Sequence, residues 1–132
     1  MGKGTLKGSM TIEMSVIIPF ILVIVIGGIM TLFYYHDKNI IYAAAYETAV
    51  VGSMDMREKE FVTEDELSAF CIERLKKKCI LMTSYKIKVT IRDEEVIVKI
   101  SSVKNGYRIQ AEKKAPVTRP EKRIRDVRRL DI

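Results

Sequence analysis

Histidine is nearly absent from this chain, with His36 alone, and cysteine is confined to Cys71 and Cys79. A single imidazole supplies neither a base paired with a nucleophile nor a histidine metal set, and His36 reads as an amphipathic residue at the end of an apolar stretch. The serines, cysteines and carboxylates show no nucleophile, dyad or metal-ligand spacing, and no glycine-rich loop of the phosphate-cradling kind occurs. Cys71 and Cys79 are eight positions apart. On one unbroken helix that rise separates them by ~12 Å, beyond disulfide reach, so they read as small buried residues. The expectation is a protein that is not an enzyme, holds no metal or cofactor and takes no small-molecule substrate.

Charge is missing from Met14 to His36, a run of 23 residues. As a helix it reaches ~34 Å, enough for a hydrocarbon core of ~30 Å, and it is expected to span a membrane. A cleaved secretory signal has a shorter apolar core followed by a small-residue cleavage site. Here Phe33-Tyr34-Tyr35 closes the run with aromatics suited to the interface, the mark of an anchor that stays. Lys3, Lys7 and the terminal amine precede the span and only Lys38 follows it closely. That bias predicts a cytoplasmic N-terminus, with most of the chain exported from the cell membrane.

The 96 residues after His36 make room for one small domain whose own core would be marginal. It is expected to lean on the helix or on neighbours. The predicted organisation is residues 1–8 as a basic cytoplasmic leader, 9–36 as the transmembrane helix, 37–56 as its exported amphipathic continuation, and 57–132 as an extracytoplasmic α+β domain with a basic tail.

Helical character continues past the membrane. Asp37 to Val51 has no Gly or Pro, is rich in Ala, and sets Ile40, Ile41, Ala44, Thr48 and Val51 at helical spacing. One helix from Ser9 or Met10 to Val51, stopped by Gly52-Ser53, is the simplest account. Thr63-Glu-Asp-Glu66 reads as a capping box opening a second helix to about Lys78. That helix should bury Leu67, Phe70, Cys71 and Leu75, with Lys76-Lys77-Lys78 against its negative end. From Tyr85 the period becomes two. Tyr85, Ile87, Val89 and Ile91 alternate with polar residues, Val96, Val98 and Ile100 repeat the pattern, and Tyr107, Ile109 and Ala111 resume it after Asn105-Gly106. These runs predict a three-stranded antiparallel sheet with one apolar face, covered by the amphipathic half of the long helix. Pro116 and Pro120 end the sheet, and Glu121 to Ile132 is expected to be a short basic helix with Ile124, Val127 and Leu130 in line.

The net charge of +6 is unevenly placed: Arg74 to Ile132 carries 18 Lys and Arg against 7 Asp and Glu, while Met54 to Glu73 is mostly acidic. Such asymmetry suits contacts between copies. A basic region can mark nucleic-acid binding, but no such motif occurs and the domain is expected to be exported, so no nucleic acid is expected. The tail Lys122-Arg-Ile-Arg-Asp-Val-Arg-Arg129 could dock on the acidic Glu58 to Glu66 segment of another copy, bind anionic polymer, or be a solvated helix face.

A glycine, four residues, a glutamate and six more to a proline inside an apolar helix, here Gly8, Glu13 and Pro19, resembles the TadE-like pseudopilins of tight-adherence (Flp-type) pilus systems. More broadly it is similar to the class III signal of type IV pilins. The resemblance covers about Lys7 to Val51 and reaches the rest only in outline. It implies cleavage between Gly8 and Ser9 by a membrane prepilin peptidase, with Ser9 carrying the new amine and Glu13 as fifth residue of the mature chain. The partners it implies are the membrane, that peptidase, other pilin or pseudopilin subunits and the pilus assembly machinery.

A carboxylate near hydrocarbon is costly and is normally paired. In a bundle of identical helices the terminal amine of one chain suits Glu13 of its neighbour; otherwise Glu13 is a first-turn acid favoured by the helix dipole. Pro19 removes a helix hydrogen bond, Gly27-Gly28 loosens the same rod, and Gly27 with Thr31 forms a small-xxx-small pair. All three suit close helix contact or ordinary membrane-helix composition. The expected function is a minor pseudopilin-like subunit. Its alternative is an unprocessed single-pass anchor whose exported domain binds polymer or protein through its basic surface.

Overall fold

A computed structural model of the protein describes residues 3–58 and 62–130, with side chains from residue 10 onward. In order these residues form α1 (Lys3–Glu58), α2 (Glu64–Leu75), β1 (Lys86–Ile91), β2 (Glu95–Lys104), β3 (Tyr107–Pro116) and α3 (Pro120–Leu130). This is the α+β fold anticipated from the sequence. The chain divides into two units at Tyr35/His36.

The first unit is α1 up to Tyr35. From Met10 to Ile29 every residue is exposed among the described residues, which leaves a long apolar surface on this stretch of helix. It is the one helix among the described residues long and apolar enough to cross a membrane. Tyr34 and Tyr35 close it with rings edge to face, their centroids 5.7 Å apart.

The second unit begins at His36 and is built around the far half of α1. Asp37, Ile41, Ala44, Ala45, Thr48, Ala49 and Gly52 are buried along one stripe of that helix. The small residues let the helix lie close, and Ile41, wholly buried, fills the space between them; truncating such a side chain to Ala costs about 2–5 kcal/mol. β1, β2 and β3 form an antiparallel meander in the order β1-β2-β3. Ile87 pairs with Ile100 and Ile100 with Ala111, while Ile91 pairs with Val96 and Val96 with Ala115. Period two therefore puts these side chains on one face with Val89, Val98, Ser102 and Ile109. The helix covers that face: a Cβ on Gly52 would lie 3.1 Å from Val96, and Lys113 Nζ sits 5.2 Å above the Tyr42 ring. Asn105 and Gly106 both adopt positive φ, 49° and 82°, as a two-residue hairpin turn with the strands' twist requires.

Several boundaries differ from the sequence reading. Helix α1 begins by Lys3, earlier than Ser9 or Met10, and runs through Gly52-Ser53 to Glu58. Gly52 does not stop the helix because its role is spatial: a Cβ there would stand 2.7 Å from Leu67 Cδ1. The buried stripe includes Asp37, Ala45 and Ala49, whereas Ile40 and Val51 are only half-buried.

Helix α2 ends at Leu75, not Lys78. Lys76 at φ −57°, ψ 125° and Lys77 at φ 65° turn the chain, and Lys78 N–H donates to the Leu75 carbonyl at 3.2 Å, the geometry of a type II turn. Thr63 is the N-cap residue but its side chain makes no cap hydrogen bond, so the capping box does not form. The neighbouring Glu64 instead accepts from Ile91 N–H at 3.3 Å, tying α2 to β1. Phe70 is half-buried, with the Arg74 guanidinium 5.1 Å above its ring. The tail helix starts one residue earlier than expected, at Pro120, where a missing N–H costs nothing; the expected end at Ile132 lies outside the described residues.

Candidate functional site

Gly8 and Ser9 lie within α1, and their side chains are outside the described residues. Glu13, Pro19, Gly27 and Gly28 follow on the same continuous helix, all exposed. They do not converge on a pocket; they mark successive levels of one rod, with Pro19 ~9 Å and Gly27 ~21 Å beyond Glu13 by helical rise. Pro19 has no N–H to give the Ser15 carbonyl. Ser15 Oγ donates to the Thr11 carbonyl at 3.0 Å, and Thr31 Oγ1 donates to the Gly27 carbonyl at 2.8 Å. Both hydroxyls are thus satisfied within the helix. A Cβ on Gly27 or Gly28 would meet nothing within 4 Å, in contrast to Gly52.

The most constrained polar group in the second unit is one the sequence reading missed. Asp37, fully buried, accepts hydrogen bonds from three successive backbone N–H groups: Ile80 on Oδ1 at 2.8 Å, and Leu81 and Met82 on Oδ2 at 2.6 and 2.7 Å. The exposed His36 places Nδ1 3.3 Å from Asp37 Oδ1. Burial alone would raise the Asp37 carboxyl, but the Ile80 and Met82 N–H groups, the His36 ring and the Leu81 N–H outweigh it and hold the pKa below the ordinary value. The signal was present: Asp37 stands one helical turn before Ile41, on the apolar stripe, where an acid needs a partner.

Around this carboxylate the segment after α2 is fastened at several points. Met82 is fully buried, Tyr85 Oη donates to its carbonyl, Ser102 Oγ donates to the Ser84 carbonyl at 2.6 Å, and Lys104 Nζ donates to Thr83 Oγ1 at 2.9 Å. Burial, aided by a hydrogen bond with Cys79 and by the charge of Asp37, pushes the Tyr85 hydroxyl pKa well up.

Cys71 and Cys79 are free. The expectation that one helix separates them fails, since α2 ends between them, but each is held at a different level of α1. Cys71 meets Thr48, and Cys79 lies near Asp37; those two positions are ~16 Å apart by helical rise. Burial raises both thiols, opposed at Cys71 by the Thr48 hydrogen bond and at Cys79 by Tyr85. Among the described residues no group of three or more His, Cys, Asp or Glu is placed to hold a metal.

Helix α3 buries none of its residues. Ile124, Val127 and Leu130 stand 56, 55 and 85% exposed, flanked by Arg123 and Arg128. Its first turn faces the end of α1, where Pro120, Glu121, Lys122 and Arg125 line a cleft with Met56, Arg57 and Glu58. Compared with family models, with curated proteins and with solved structures, the chain matches none.

Proposed function

We propose that this chain is a membrane-anchored, minor pseudopilin-like subunit for assembly of a Tad or type IV-like pilus, matured by a prepilin peptidase between Gly8 and Ser9. The observation that carries the reading is the single helix from Lys3 to Glu58. Its start bears Gly8, Glu13 and Pro19 in the spacing of a class III signal, its middle is an uncovered apolar surface, and its far half forms part of the core of a small α+β unit. In a filament of this kind the N-terminal helix carries the packing between subunits and the α+β unit is exposed. The open surroundings of Gly27 and Gly28 support the same reading, since small residues let neighbouring membrane helices approach. In this role the N-terminus is cytoplasmic, the head extracytoplasmic, and the partners are the peptidase, other pilin-type subunits and the assembly machinery. The work is assembly, not catalysis.

The exposed basic α3 favours a second reading, an unprocessed anchored domain that binds an acidic partner. Intact mass and N-terminal sequencing of the protein from its own host's membranes separate the two. A chain beginning at Ser9 is the expected result. A chain retaining residues 1–8 would overturn the pilus reading and leave the anchored domain.

A further inference from the structure

We propose that the open face of α3 docks on the acidic outer face of α2 in a second copy of this chain. Three sides of α3 have different surroundings. Pro120, Glu121, Lys122 and Arg125 face the end of α1. Lys122, Arg123 and Asp126 line a cleft with Asp93 and Glu94 of the β1–β2 turn. The remaining side presents Ile124 and Val127 between Arg123 and Arg128, and no part of the same unit buries it. An apolar strip with cationic edges calls for a partner of the reverse character: apolar along the middle and acidic at the edges.

The chain carries such a surface. On α2 the face opposite buried Leu67, Cys71 and Leu75 exposes Asp65, Glu66, Ala69, Ile72 and Glu73. Positions 65, 69, 72 and 73 lie on one helical stripe, and Ile72, 51% exposed, is its large apolar side chain. α3 has 11 residues and α2 has 12, so the two stripes match in length. Seating Ile72 between Ile124 and Val127 brings Arg123 and Arg128 toward the α2 carboxylates. The contact is heterologous: a copy that uses its α3 on one neighbour keeps its α2 for another, so the arrangement propagates instead of closing as a dimer. A helix pair of this size buries less than the ~1,000 Å² expected of a stable interface. The contact therefore depends on copies already held side by side by their membrane helices, which raises their effective concentration. To that extent the inference rests on the assembly reading.

A lipid surface is the other occupant that a basic amphipathic helix fits; it offers no acidic, apolar-centred stripe matched in length to α3, as α2 does.

The test uses the full chain in zwitterionic phosphatidylcholine vesicles, with a benzophenone photo-crosslinking residue at Val127 and a mixture of isotopically light and heavy copies. The expected result is light-to-heavy adducts mapping to 65–73 of the other copy. The pair Arg123→Glu/Arg128→Glu should lower their yield roughly tenfold, as expected when charge pairs across an interface become like-charged. Glu66→Lys/Glu73→Lys on α2 should lower it equally, and combining the four should restore it. Adducts to lipid, adducts to another segment, no adducts, or a combined variant as poor as its parents would each overturn the contact. Adducts in a protein that retains residues 1–8 in its host would retire the pilus reading alone; a Ser9 start without adducts would retire the contact alone.

Discussion

Asp37 Oδ2 lies 2.7 Å from the backbone nitrogen of Met82, across 45 positions of sequence. This bond, with those to Ile80 and Leu81, anchors the segment after α2 to the point where α1 enters the second unit. Met82 itself fills the core, so the carboxylate fixes the backbone and the side chain in one step. Removing it deprives three backbone N–H groups of their acceptor, that of Met82 in the buried interior, and a buried unsatisfied donor is costly. Asp37→Ala should destabilise the second unit by roughly 3 kcal/mol, read as loss of cooperative thermal unfolding temperature in detergent. Asp37→Asn, which keeps an acceptor oxygen, should cost less.

The same carboxylate sets a pH dependence. Its folded pKa lies below the ordinary value, so the unfolded chain binds more protons between the two, and stability rises with pH there. The contribution is complete above about pH 4, the unfolded carboxylate value, and is lost as pH falls through the folded pKa. Unfolding followed from pH 6 down to pH 2 should show acid destabilisation in the wild type and a smaller slope in Asp37→Asn. Equal slopes would mean that other acids carry the effect.

Gly52 and Gly28 should respond oppositely to alanine. At Gly52 the added methyl meets Leu67 Cδ1 at 2.7 Å and Val96 Cγ1 at 3.1 Å, and both side chains are buried. Overpacking of about 1–3 kcal/mol exceeds the ~1 kcal/mol gained in helix propensity, so Gly52→Ala should lower the unfolding temperature. Gly28→Ala meets nothing within 4 Å and should leave the isolated subunit unharmed. If neighbouring helices pack against that surface, the variant will instead reduce co-purification of copies. A neutral Gly52→Ala would show that Leu67 moves aside.

Gly52 also shows what was legible in the sequence. Periodicity located α1, the three strands and the Asn105-Gly106 turn, because burial on one face writes a repeat into the residues themselves. It could not reveal that a glycine after an alanine-rich helix serves close packing, since the residues that crowd it, Leu67 and Val96, belong to other elements. Thr63 and Glu66 form a capping signature, yet the tertiary contact made there is Glu64 with Ile91 N–H. Asp37 was hidden for a related reason: its partners are backbone groups of residues 80–82, which carry no side-chain signature. For the candidate site the spacing of Gly8, Glu13 and Pro19 was readable, while the open face of α3 required knowing which of its sides the rest of the unit leaves uncovered.

Cys71 and Cys79 should react slowly and unequally. Burial raises both thiols, so little thiolate is present at neutral pH. Cys71 is fully buried while Cys79 is partly accessible. Iodoacetamide at pH 7.5, followed by mass spectrometry of the folded chain in detergent, should modify Cys79 slowly and Cys71 only on unfolding. Fast labelling of Cys71 would mean that α2 separates from α1 in the native state. Oxidation should give no intramolecular disulfide, because the two thiols are held at separate levels of α1.

Glu13 tests the assembly reading most directly. It is exposed on α1, at the start of the apolar run long enough to cross a membrane. In a bilayer a lone ionised carboxylate there carries a solvation cost that a cationic partner from a neighbouring helix relieves. Glu13→Gln removes the charge and keeps the size, so insertion of the apolar run should be unaffected. Co-assembly should fall sharply, measured as recovery of a differently tagged copy from the same membranes; losing a charge pair shielded from water costs several kcal/mol. Glu13→Asp should retain part of the effect, since the charge survives on a shorter stem. Undiminished recovery with Glu13→Gln would remove Glu13 from the assembly contact and leave register set by helix packing alone.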